Sequence, residues 1–367
     1  MRISFVFGTR PEIIKLSALL NLSASHHEIE LETIHTGQHY NYHLSQSFLE
    51  DLNLPQINYE ISVGSLPRLE QIRQMVFGLE KVLKKRKPDV VVVQGDTNST
   101  LAGAIAARNF GIPIAHVEAG LRCFDEQMVE EINRKATDRI SSIWFAPTPQ
   151  SVHNLKQEGI QGESVILAGN TIVEVAIENL KIAKKKSRIL QRLGLKPGSY
   201  ILITAHRQEN VDNEKFLADL ISAWEQIHLQ MVYPVHPRTQ ESFIEFGLIP
   251  RLNSIKNLML LGPLSYWDFL LLASSSRMIM TDSGGIQEEC TIYKKPVIVI
   301  REYTERPEII GTFGVLTGNN SEKILCEVKN IDANYQEIIT RLKKTPSPFG
   351  DGKASERIVS YLLKKFT

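Results

Sequence analysis

Residues 89–98 read D-V-V-V-V-Q-G-D-T-N. Successive side chains of a strand point to opposite faces of its sheet, so the four valines leave neither face for water. A strand apolar on both faces belongs to a parallel sheet covered by helices on each side. The turn after it is short and polar, and residues 98–110 beyond it carry helical patterning. Strand, tight turn and helix in that order are the unit of an open α/β fold.

The same unit recurs in both directions. Candidate strands lie at 2–7, 31–35, 89–94, 112–117, 200–204, 231–235, 257–261, 277–281 and 296–300. Amphipathic helices are expected at 11–22, 67–86, 98–110, 213–229 and 265–275. This alternation predicts a doubly wound, Rossmann-like α/β architecture. It also starts twice. The segment 175–199 reads as a helix, a basic stretch and a Lys-Pro-Gly-Ser turn, and a fresh strand opens at Tyr200. Two domains are therefore expected, 1–170 joined by a final helix at 353–367, and 171–352. A ligand of such a pair is expected in the cleft between them, at the carboxyl ends of the strands.

Bulk properties narrow the class. A chain of 367 residues suits two such domains. Its net charge of +1 argues against a nucleic-acid partner or an anionic membrane surface. The basic runs 84–87 and 184–186 fall where helices should end, which is where the helix dipole favours cations. Three scattered cysteines, Cys123, Cys290 and Cys326, with no CxxC pair, point to a reduced compartment and no zinc knuckle. No apolar run approaches membrane-spanning length. A soluble cytoplasmic protein is expected.

The residues after the strands carry the chemistry. The first strand delivers Gly8-Thr9-Arg10-Pro11-Glu12, with Lys15 one turn on. Pro11 suits the first helical position. Two cations near a positive helix end do not suit the helix, and they suggest an anionic ligand. The second strand runs into His35-Thr36-Gly37-Gln38-His39, read as a pair of hydrogen-bonding loop histidines. Asp96 stands either as the cap of the helix beginning near Asn98 or as a ligand-facing carboxylate. Glu118, after the strand ending in His116-Val117, is a poor cap among small neighbours. Glu130-Glu131 is read as lying in a loop. Converging carboxylates are suited to acid and base work, and a divalent metal on Asp96, His116 and Glu118 is the minor alternative. In the second half, strands lead into His206-Arg207 and into His236-Pro237-Arg238, a pattern again suited to an anion. The stretch 281–289, T-D-S-G-G-I-Q-E-E, offers a hydroxyl and backbone N–H groups from Ser283, Gly284 and Gly285 at a helix N-terminus, suited to a diphosphate. Asp282 is expected to cap this turn, Glu288 to face solvent, and Glu289 to accept from sugar hydroxyls.

Ten blocks taken in order resemble one family. They are GTRPEIIKLS (8–17), HTGQHYNYHLS (35–45), QGDTNSTLAG (94–103), HVEAGLRCFD (116–125), VEEINR (129–134), GNTIVE (169–174), TAHRQENVD (204–212), HPRT (236–239), TDSGGIQEE (281–289) and TERPE (304–308). Together they resemble the non-hydrolysing UDP-N-acetylglucosamine 2-epimerases. The resemblance implies a glycosyltransferase-B type fold whose last helix returns to the first domain, and a homodimer. It implies interconversion of UDP-GlcNAc and UDP-ManNAc with no nicotinamide or metal cofactor, by anti elimination of UDP to a 2-acetamidoglucal and re-addition. By matching motif, Asp96, Glu118 and Glu130 are implied in proton transfer. His206 is implied in contacting the diphosphate and assisting the departure of UDP. Arg10 and Lys15 are implied as cations near the substrate, and Phe269 beside the uracil. Ser283, Gly284 and Gly285 are implied in holding phosphate, Glu289 in holding ribose, and Arg306 belongs to the TERPE block. Related enzymes that act on UDP-2,3-diacetamido-glucuronate or a UDP-6-deoxy-HexNAc are the near alternative, and a UDP-sugar transferase on the same fold is the distant one. The sequence departs from the family at Val129, where proline is common, and at Gln208, where arginine is common. The glutamines of an activating second UDP-GlcNAc site are missing from 40–44, which leaves Arg68, Arg207 and His236 as its candidate members.

Overall fold

The structure, a computed structural model, describes residues 1–38, 52 and 54–367. It divides into two compact units, Met1–Val175 with Phe349–Thr367, and Ala176–Pro348.

In the first unit the valine strand lies at the centre. β4 (Val90–Gln94) is buried at all five positions, between β1 (Arg2–Phe7) and β5 (Ile114–Val117). With β2 (Glu30–His35), β3 (Tyr59–Glu60), β6 (Ile143–Ala146) and β7 (Val165–Leu167) it builds a parallel sheet ordered β3-β2-β1-β4-β5-β6-β7. Helices Arg68–Arg86 and Asn98–Asn109 cover one face. Met75, Leu79 and Leu83 pack there with Val91, Val93 and the alanines of the second helix. That helix is built of small residues because it must lie close to the sheet. A Cβ on Gly103 would stand 2.9 Å from Val93 Cγ1 and 3.0 Å from Val6 Cγ1. The last helix, Ala354–Phe366, belongs to this unit. It is tied down by Ser355, whose N–H donates to Glu174 Oε1 at 3.0 Å, and by Tyr361, edge-on to Phe145.

The second unit repeats the plan. β8 (Tyr200–Thr204), β9 (Gln230–Pro234), β10 (Leu258–Leu261), β11 (Met278–Thr281), β12 (Val297–Val299) and β13 (Gly314–Leu316) form a parallel sheet ordered β10-β9-β8-β11-β12-β13. Its core gathers Ile201, Ile203, Leu217, Leu220, Trp224, Tyr233 and Met280. In both sheets the third, second and first strands of the unit are followed by the fourth and fifth. Each strand order thus reverses once, between β1 and β4 and between β8 and β11. In doubly wound sheets ligands collect at that switch point, beyond the carboxyl ends of the strands.

All nine expected strands are present, with ends shifted by a residue or two. β3, β6, β7 and β13, two to four residues long, are additional to the strands expected from sequence. Glu130-Glu131 is not in a loop. It opens the helix Val129–Ile140, which buries a polar face of Glu131, Asn133, Arg134, Thr137 and Asp138 and leaves Val129 and Ile132 exposed, the reverse of the usual pattern. Among the described residues no helix is long and apolar enough to cross a membrane. All three cysteines are unpaired.

Candidate active site

The turn after β4 and the turn after β5 each hold a carboxylate. Glu118 has φ +70°, flanked by Gly95 at +76° in the neighbouring turn and Gly120 at +81° in its own. A residue with a side chain adopts that region only when its surroundings hold it there. Here the surroundings are polar and close. Glu118 is buried; its Oε1 accepts from Lys15 Nζ at 2.5 Å and Asn170 Nδ2 at 2.7 Å, and its Oε2 from Gln94 Nε2 at 2.6 Å. Lys15 therefore faces a protein carboxylate, which answers why a cation lies so near a helix start.

Asp96 does not cap the next helix. Thr97 does, accepting from Thr100 N–H, because it holds the extended position directly before the helix and Asp96 lies one residue further out. Asp96 instead pairs with the Arg134 guanidinium and keeps 27% of its side chain exposed, so a ligand can reach it. Arg134 is itself buried and donates to Glu131 Oε2 at 2.8 Å. Of the acidic pair, Glu131 is the fully buried member. It also accepts from the N–H groups of Cys123 and Phe124, while Glu130 is half-buried. Arg10 is exposed.

His116 is no metal ligand. Its Nδ1 lies 2.7 Å from Asp138 Oδ1 and its Nε2 lies 2.8 Å from Gly95 O, so both ring nitrogens are occupied. His35 is buried, and burial pushes its imidazole down from the usual range. His39 and the segment 40–44 lie outside the described residues.

One carboxylate of this region was not singled out from sequence. Glu12 is buried and accepts from Gly8 N–H at 3.0 Å, Thr9 N–H at 2.8 Å, Thr97 Oγ1 at 2.9 Å and Thr100 Oγ1 at 3.2 Å. Burial pushes its carboxyl up to about 7, against the hydrogen bonds that favour its charged form. The signal was present in Thr9-Arg10-Pro11-Glu12, the spacing of a capping box.

The second unit assembles its candidates at its own switch point. Thr204 and Thr281 are paired in register at the ends of β8 and β11, their hydroxyls 2.5 Å apart. Just beyond, Asp282 is fully buried and does not cap the helix Gly284–Tyr293. Its Oδ2 accepts from the N–H groups of His206 (2.9 Å) and Arg207 (2.8 Å), because the parallel strands bring that turn alongside. Its Oδ1 lies 3.4 Å from His206 Nδ1. The His206 ring is 40% exposed and 6.0 Å from the ring of His236, centre to centre. His236 caps the helix Pro237–Glu245 by accepting from Arg238 N–H, which requires a bare Nδ1, and burial pushes its imidazole down.

Ser283, half-buried, precedes the helix Gly284–Tyr293. The N–H groups of a helix's first turn have no partner within the helix and point at its axis end, where anions bind. Gly284 belongs there for steric reasons, since a Cβ would stand 2.6 Å from Glu305 Oε1. Around Gly285 the nearest atom to such a Cβ is Ser283 Oγ at 3.9 Å, so that side is open. Glu288 does not face solvent. It is fully buried against the Arg306 guanidinium, because the chain after β12 folds back over this helix. Glu305 accepts from Arg301 at 2.7 Å and Arg207 at 3.3 Å. Glu289 is nearly buried and accepts from Tyr293 Oη at 2.6 Å. Phe269 is half-buried on the helix Tyr266–Ser275. Arg68, in the first unit, donates to Asn133 Oδ1 at 2.7 Å. Arg207 and His236 lie in the second.

Two doubly wound units, one with carboxylates at its switch point and one with a helix N-terminus at its own, define an α/β protein of the glycosyltransferase-B type. The sequence profile described as UDP-N-acetylglucosamine 2-epimerase matches residues 22–363, and the chain belongs to that family. The UDP-N-acetylglucosamine 2-epimerase of Methanocaldococcus jannaschii is 43% identical over 99% of both chains. That of Methanococcus maripaludis is 41% identical over 99% of this chain and 98% of its own. The crystal structure of the Methanocaldococcus jannaschii enzyme in complex with UDP-GlcNAc and UDP superposes with a TM-score of 0.89, covering 99% of this chain and 100% of that one.

Proposed function

We propose that the protein interconverts UDP-GlcNAc and UDP-ManNAc by epimerisation at C2. The observation that carries the reading is the juxtaposition of Asp96 and Glu118 after the adjacent strands β4 and β5, in a chain matched end to end by enzymes of that name. C2 carries a weakly acidic hydrogen, so its removal needs a carboxylate held within hydrogen-bonding reach. Anti elimination takes the proton from C2 as the C1–O bond breaks and UDP departs, leaving a 2-acetamidoglucal. Re-addition returns UDP to C1 and a proton to the opposite face of C2, so donors and acceptors on two faces are required. Asp96, Glu118 and Glu130 are proposed for this proton traffic. The substrate's oxidation state does not change, so the steps need no nicotinamide.

The second unit is proposed to hold the leaving group. Charge developing on the diphosphate calls for donors that are already oriented. His206, steadied by Asp282 on its inner side, and the Ser283-Gly284-Gly285 helix end suit that task. Arg306 is proposed to act there through the Glu288 pair, Glu289 to accept from ribose, and Phe269 to lie beside uracil. Arg10 and Lys15 are proposed to serve the first unit's side of the substrate, Lys15 through Glu118. A cytoplasmic homodimer is proposed from the family likeness, with the unpaired cysteines in keeping with a reduced compartment. Arg68, Arg207 and His236 remain the proposed members of an activating site.

The test is incubation with UDP-GlcNAc in D2O, followed by proton NMR. The expected result is loss of the C2–H signal together with appearance of UDP-ManNAc. Release of UDP without exchange at C2 would refute the proposal.

A further inference from the structure

Behind the two carboxylates lies a buried charged cluster that the reaction scheme does not use. His116 sits in β5 opposite Val93 of β4. Its Nε2 faces the Gly95 carbonyl, which only accepts, so Nε2 donates. Its Nδ1 faces Asp138, whose Oδ2 accepts from Gly120 N–H at 3.1 Å and pairs with Arg122 at 2.8 Å. None of the three side chains has exposed surface. Burying three ionisable groups costs several kcal/mol, which the sheet itself does not require.

The bonds go where the backbone most needs holding. Gly95 immediately precedes Asp96, and Gly120 follows Glu118 by two residues. All three positions, Gly95, Glu118 and Gly120, have left-handed φ. Asp138 itself rides on the helix Val129–Ile140, which also carries Glu130, Glu131 and the Arg134 that touches Asp96. A single cluster therefore joins the three elements that bear carboxylates.

We propose that His116, Asp138 and Arg122 are positioning residues that hold the Asp96 and Glu118 turns in register, an inference that rests on the epimerase reading. They touch no substrate and act through the turns. Misplacing a reacting group by about 1 Å costs on the order of a hundredfold in rate.

The test compares full-length wild type with His116→Gln and Asp138→Asn, with Leu83→Ala as a control that weakens the same unit away from the turns. Initial rates give kcat and KM for UDP-GlcNAc, calorimetry gives the Kd for UDP, and melting reports the fold. For folded His116→Gln or Asp138→Asn we expect kcat to fall on the order of a hundredfold with KM and Kd within about threefold, while Leu83→Ala melts earlier and keeps kcat. Unchanged kcat in either folded variant, or an equal loss in Leu83→Ala, overturns the inference. Should both variants fail to fold, the wild-type His116 ring N–H protons decide. Protection from solvent exchange supports the clamp, and exchange as fast as an exposed imidazole overturns it. A wild type that does not convert UDP-GlcNAc removes the epimerase reading itself, whereas active wild type with fully active variants removes only this inference.

Discussion

Lys15 Nζ lies 2.5 Å from Glu118 Oε1, and both side chains are buried. A buried pair of this kind contributes little net stability over an apolar pair, yet removing one partner strands the other charge. Lys15→Met should therefore destabilise the first unit by about 3–5 kcal/mol, and Lys15→Met/Glu118→Gln should recover much of that loss. Denaturant midpoints of the two variants measure this. A single variant as stable as the double one would show that the pair is not acting as a unit.

Asp96→Asn and Glu118→Gln keep shape and hydrogen-bonding arms and remove the ability to take a proton. Each should lower kcat by about 10²–10⁴-fold, the contribution typical of a positioned acid or base. UDP affinity should stay near wild type, because the groups proposed to hold UDP lie in the other unit. Calorimetry beside a turnover assay separates the two effects. Near-normal turnover in either variant rejects that residue's proton-transfer role.

Glu12 makes the first unit's stability depend on pH in an unusual direction. Burial raises its carboxyl from the ordinary 4.5 to about 7, so the folded chain keeps a proton that the unfolded chain releases. The stabilisation is complete below the unfolded value, falls as pH rises toward about 7, and is flat above it. Glu12→Gln cannot ionise and should escape this fall. Between pH 5 and pH 8 its stability relative to wild type should climb by up to about 3 kcal/mol. Unfolding curves at both pH values check it, and a pH-independent difference would show that the carboxyl is ionised throughout.

Gly284 and Gly285 are neighbours with opposite tolerance. A Cβ on Gly284 would meet Glu305 Oε1 at 2.6 Å, and that oxygen is held by Arg207 and, through its partner oxygen, by Arg301. Gly284→Ala should cost about 1–3 kcal/mol as overpacking and should weaken UDP binding. Gly285→Ala meets nothing closer than 3.9 Å and should stay within about 0.5 kcal/mol of wild type. Melting and UDP titration of both variants test the contrast. Equal damage from the two would mean that sterics at Gly284 do not shape the helix end.

The order of the nine expected strands was legible from residues alone, while β3, β6, β7, β13 and the helix Val129–Ile140 were not. Four valines in a row favour a strand buried on two faces, and the Gly-Asp-Thr turn after them leads into a helix on one of those faces. The residues at the strand ends were legible for the same reason, since chain direction in a parallel sheet sends every such turn to one edge. What each side chain does there was not legible. Glu288 reads as a solvent-facing helix residue until Arg306, eighteen positions away, folds over it. Asp282 reads as the cap of its own helix until the parallel pairing of β8 with β11 brings the His206 turn against its carboxylate. Glu118 reads as one of several converging acids, and only the packed chain supplies Lys15, Gln94 and Asn170 as its partners. Periodicity and propensity act over a few neighbouring residues, and they wrote the strands, the helices and their turns into the sequence. Partner, protonation state and exposure are set by atoms brought within 3 Å from distant parts of the chain, and those only the tertiary structure decided.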